Sequence, residues 1–79
     1  METIIELIPD DDSDIIPTKH LSSLFKMLME IYNETKTFPS KGDSLSLWDD
    51  DDVVEYSITQ RGFFISSRGK YVIYFYITK

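Results

Sequence analysis

The sequence predicts a two-layer α+β domain, and three observations carry that expectation. Between Leu21 and Thr35 seven positions recur at helical spacing, whereas the later segments alternate with the period of a β-strand. One early apolar stretch precedes the helix, which gives a strand, a helix and then a three-stranded antiparallel meander. Seventy-nine residues leave room for one core, so residues 1–79 are read as a single compact domain.

The first strand is expected over Thr3 to Ile8, where Ile4, Ile5, Leu7 and Ile8 are interrupted by Glu6. Pro9 and the aspartates after it end that strand. The amphipathic helix is placed at about 19–36, with Pro17 before it and Thr18 as the residue whose hydroxyl caps a free backbone N–H. Leu21, Leu24, Phe25, Leu28, Ile31, Tyr32 and Thr35 form one arc, flanked by Met27 and Met29. Pro39 cannot continue a helix, and Pro39 to Asp43 reads as a turn. Strands follow at about 44–48, 53–66 and 70–78. The middle one is long, and a bulge near Gly62 is expected to carry it through to Phe63, Phe64 and Ile65. Ser67-Arg68-Gly69 reads as the last hairpin turn.

Composition narrows the function classes. A chain that is 42% hydrophobic and 14% aromatic is too apolar for a disordered segment. Without cysteine there is no disulfide, thiolate chemistry or cysteine-ligated metal, and one histidine rules out any site that needs two. No apolar run approaches the roughly 18 residues of a membrane span, and the start lacks the pattern of a signal peptide. The expectation is a cytoplasmic protein with no cofactor, no metal, no membrane association and no small-molecule substrate.

Net charge −6 hides a strong asymmetry. Residues 1–55 hold all fourteen carboxylates against Lys19, Lys26, Lys36 and Lys41, a balance of −10. Residues 56–79 hold Arg61, Arg68, Lys70 and Lys79 with no acid, a balance of +4. The acids cluster in two runs, Asp10, Asp11, Asp12 and Asp14, then Asp49, Asp50, Asp51 and Asp52. Such asymmetry points to charged partners or to self-association.

The last strand is apolar or aromatic on both faces: Tyr71, Ile73, Phe75 and Ile77 on one, Val72, Tyr74 and Tyr76 on the other. One helix covers one face only. The plain reading is cross-strand tyrosine pairing on a wet surface. The functional reading is a partner-binding aromatic surface of Trp48, Phe64, Tyr74 and Tyr76, since interfaces are enriched in these residue types.

Individual motifs are weak. Asp10-x-Asp12-x-Asp14 matches the opening of a calcium loop, but Ile15 replaces the turn glycine and Leu21 the closing glutamate, so an EF-hand is rejected. Asp49 to Asp52 is expected to be a fully solvated turn, ionised in the ordinary way. His20 has no sequence neighbour that makes it a catalytic base. Arg61, Arg68, Lys70 and Tyr71 form a basic aromatic hairpin of the kind single-strand binders use, which supplies an alternative reading as a nucleic-acid binder.

The expected function is therefore a non-enzymatic protein-binding module, an inhibitor or adaptor acting by occlusion. Its acidic runs would steer it to a partner with a basic surface, such as a nucleic-acid-handling protein, in part by imitating phosphates. In size and charge it is similar to the small acidic inhibitors that phages and mobile elements direct at machinery in the host cytoplasm. The remaining alternatives are a structural homo-oligomer or accessory subunit, including one in which the positive hairpin of one copy meets the acidic loop of another.

Overall fold

The structure is a computed structural model that describes residues 3–11 and 15–79. Five elements succeed one another: β1 (Thr3–Pro9), α1 (Thr18–Thr35), β2 (Ser44–Asp49), β3 (Asp52–Ile65) and β4 (Tyr71–Thr78). They make one four-stranded sheet in the order β1-β4-β3-β2, with α1 against one face. The α+β class and the meander β2-β3-β4 agree with the sequence reading. β1 completes the sheet by pairing in parallel with β4, from Thr3 opposite Tyr71 to Pro9 opposite Ile77.

Alternation decides what each strand buries. On the inner face lie Leu45 and Leu47 of β2, Tyr56 and Ile58 of β3, and Ile73, Phe75 and Ile77 of β4. Leu24 and Leu28, one helical turn apart, close this core from α1, and Ile5, Leu7, Met27, Ile31 and Phe38 pack around it. The buried seam of the helix begins one residue earlier than expected, at His20. Phe25 and Tyr32, placed on the apolar arc by their spacing, stay partly in solvent.

Two local expectations are corrected. The residue at the helix N-cap is Pro17, not Thr18, and no side chain caps this end. The proline carbonyl instead accepts from the amides of His20 and Leu21, at 2.9 and 3.1 Å. The irregularity in β3 lies between Ile58 and Gln60, at Thr59, and not near Gly62. Gly62 is glycine for a different reason: a Cβ there would fall within the ring of Tyr74 directly across on β4. The Thr59 bulge reverses the alternation, so Ser57 and Gln60 share the outer face although three residues apart.

β3 is the axis of the molecule. Its first half pairs with β2 and its second half with β4. The β2–β3 turn at Asp50–Asp51 and the β3–β4 turn at residues 66–70 therefore sit at opposite ends of one long strand. Asp50 has φ 55°, a left-handed conformation that aspartate tolerates better than most residues.

Candidate functional site

The β2–β3 turn is a braced structure. Leu45, Leu47 and Asp49 share the inward parity of β2, which aims Asp49 at the start of α1. There Asp49 Oδ2 lies 2.9 Å from His20 Nε2 and Oδ1 lies 2.6 Å from Lys19 Nζ. On the other side of the imidazole, Nδ1 is 2.8 Å from the Tyr56 hydroxyl. A carboxylate only accepts, so Nε2 carries the hydrogen; in the neutral ring Nδ1 then accepts from Tyr56. His20 is 5% exposed and Tyr56 2%, so both groups are shielded from solvent. The network fastens helix to hairpin.

Asp49 is thus not the fully solvated, ordinary aspartate expected from its run. The hydrogen bond from Lys19, seconded by that from His20, holds its carboxyl below the usual carboxylate range. The same bond and the charge of Asp49 raise the Lys19 ammonium above its ordinary value.

Beyond this brace the turn is open. Asp50, Asp51 and Asp52 are exposed, and Trp48 pairs across the strands with Val53 on the outer face. Trp48 is 73% and Val53 57% exposed, an apolar pair next to three carboxylates. Asp10 and Asp11 lie elsewhere, where β1 ends: the Asp10 amide bonds the Ile77 carbonyl at 2.8 Å. Ile77 faces Ile58, six residues along β3 from Asp52, or about 20 Å. Asp10 and Asp11 therefore do not join Asp50, Asp51 and Asp52 in one cluster. Asp12 and Asp14 lie outside the described residues.

The aromatic surface expected from the strand pattern divides in two. Phe64, Tyr74 and Tyr76 do form one stripe on the outer face, with ring centroids 6.0 and 5.8 Å apart in sequence along it. Both tyrosines are half-buried. Trp48 has the same parity but stands apart: its partner Val53 and the Tyr76 partner Gln60 are seven residues apart on β3, about 23 Å.

The basic residues also separate. Arg68 sits in the β3–β4 turn with Lys70 at its end, and Tyr71 opens β4. Arg61 lies within β3 opposite Phe75, where its guanidinium donates to the carbonyls of Phe38 and Pro39 at 3.2 and 3.3 Å and covers the Phe63 ring. It anchors the loop after α1 and is not part of the turn.

One feature has no counterpart in the sequence reading. On the inner face of the β3–β4 hairpin, Phe63, Ile65 and Tyr71 are exposed. Phe63, Ile65, Tyr71 and Ile73, with Tyr32 from the last turn of α1 and Phe38 from the loop after it, line an open groove of about 460 Å³. Phe63 is 66% and Ile65 63% exposed. Tyr32 stacks on Phe38 with centroids 4.6 Å apart, giving the groove an aromatic wall. The apolar run Phe63-Phe64-Ile65 was the available signal, but where the helix stops relative to it was not.

Among the described residues no helix is long and apolar enough to cross a membrane. No known protein family, curated protein or solved structure matches this chain.

Proposed function

We propose that this chain is a non-enzymatic protein-binding module that uses its β2–β3 tip to cover a basic surface on its partner. The observation that carries the reading is the Trp48–Val53 pair, mostly exposed and set beside Asp50, Asp51 and Asp52. A tryptophan at the centre of a charged rim is the common anatomy of a binding hot spot. The carboxylates supply steering and choice of partner, and the indole supplies the buried area. The His20–Asp49–Lys19 brace supports the reading by holding the tip in place before binding, which lowers the ordering cost. Action by occlusion in the cytoplasm, as by an inhibitor or adaptor that displaces nucleic acid, belongs to the same proposal.

The test is capture of a partner on the immobilised chain, followed by kinetics with purified components. Trp48→Ser should weaken that complex by about 30-fold, mainly through faster dissociation. Asp50→Asn/Asp51→Asn/Asp52→Asn should slow association, most strongly at low salt. A partner bound equally by both variants overturns the reading. So does tight nucleic-acid binding by the chain that disappears in Arg68→Glu/Lys70→Glu.

A further inference from the structure

The geometry points to head-to-tail self-association, in which the β2–β3 tip of one copy seats in the groove under the β3–β4 hairpin of the next. The inference rests on reading the tip as the binding element and adds the surface that receives it. Two independent complementarities select a second copy as the occupant.

The first is apolar. A groove of about 460 Å³ walled by Phe63, Ile65, Tyr71, Tyr32 and Phe38 has room for an indole ring, and Trp48 offers one that its own fold leaves 73% exposed. Burying an aromatic side chain of this kind removes roughly 150–250 Å² from water. The second is electrostatic. The turn between Ile65 and Tyr71, both of which line the groove, carries Arg68 and Lys70, and residues 56–79 contain no acid. The tip carries Asp50, Asp51 and Asp52 next to its apolar pair.

The two surfaces lie at opposite ends of β3, so one chain cannot satisfy both by folding on itself. The contact is heterologous: each copy offers a tip forward and a groove behind. Net charge −6 opposes association at long range. The longest extent of the molecule is 41 Å, however, about four screening lengths at 0.1 M salt, so contact between the poles outweighs repulsion between whole molecules. Salt then weakens the assembly rather than strengthening it.

Sedimentation equilibrium of the full chain tests this, with two variants at exposed positions that leave the core untouched: Trp48→Ser at the tip and Phe63→Ser in the groove. Thermal melts confirm that both fold. The weight-average mass of the unaltered chain should rise above 9.3 kDa with concentration and fall back near 1 M NaCl, where screening acts over about 3 Å. Each variant alone should stay at the protomer mass. Their equimolar mixture should form a complex of twice that mass and no larger, because one intact tip and one intact groove remain. Trp48 emission should shift to the blue on assembly of the unaltered chain.

A chain that stays monomeric at every concentration overturns the inference, and so does self-association that either variant retains alone or that the mixture fails to restore. Poly-lysine separates this from failure of the proposed function. If the monomeric chain binds poly-lysine with a Trp48 shift, the tip reading stands and the receiving groove fails. If assembly occurs while captured partners ignore both tip variants, the groove stands and the partner reading fails.

Discussion

His20 and Asp49, twenty-nine positions apart, meet with Nε2 2.9 Å from Oδ2, and this pair ties the first turn of α1 to the end of β2. Lys19 from the same helical turn takes the second carboxylate oxygen at 2.6 Å, so one aspartate receives two donors from adjacent residues.

Asp49→Asn should lower stability in a pH-dependent way. The folded carboxyl titrates below its ordinary value, so its contribution is complete above the usual carboxylate pKa of about 3.9 and disappears as pH falls through the lower folded value. Lys19 is raised, so its share is complete below about 10.4 and is lost as pH rises through the higher folded value. Urea midpoints of the two proteins should converge in acid, and the gap should narrow in strong alkali, where the Lys19 share alone is lost. A gap that stays unchanged however far the pH falls below the usual carboxylate range would show that the carboxylate charge does not support the brace.

Tyr56→Phe removes the hydroxyl 2.8 Å from His20 Nδ1 and leaves a buried ring nitrogen without that partner. The expected cost is about 1–3 kcal/mol in chemical denaturation, far above that of a surface phenol.

Gly62→Ala should destabilise by about 1–3 kcal/mol, because the added methyl enters the space of the Tyr74 ring. In a Tyr74→Ala background the same substitution should cost much less. Additive effects in this double-mutant cycle would assign the glycine to backbone freedom instead.

Lys36→Gly should stabilise. Lys36 ends α1 at φ 59°, with its amide on the Tyr32 carbonyl at 2.7 Å. Relief of left-handed strain, partly offset by a freer unfolded chain, leaves about 0.5 kcal/mol and a melting temperature higher by about 2–4 °C. An unchanged or lower value would place the helix end in a different conformation.

What the residues revealed in advance followed from repeating patterns. The helix and the three meander strands were legible because period and parity act locally, and parity put Phe64, Tyr74 and Tyr76 on one face. The same parity carried a signal in Asp49, which continues the inward series of Leu45 and Leu47, but a run of four aspartates looked like solvent. The bulge was misplaced because Gly62 resembles a bulge residue, while Thr59, which forms the irregularity, has no local mark. The distance of Trp48 from the tyrosines and the groove beneath Phe63 depend on how far β3 outruns its neighbours and where α1 stops. Those are properties of tertiary register, set jointly by distant segments.

The parallel pairing of β1 with β4 makes the first strand and the last inseparable in time. Thr3 cannot find Tyr71 until almost the whole chain is available, and closing so long a loop is entropically costly. β4 is also the strand between β1 and β3, so β1 has no sheet to join before β4 has formed. The local meander is expected to set early in folding and the β1–β4 seam to close after the rate-limiting step, so that mutations in Ile5 and Leu7 accelerate unfolding more than they slow refolding. Until that seam closes, the inner face of β4 lacks one flank, and the nascent molecule is at its most adhesive.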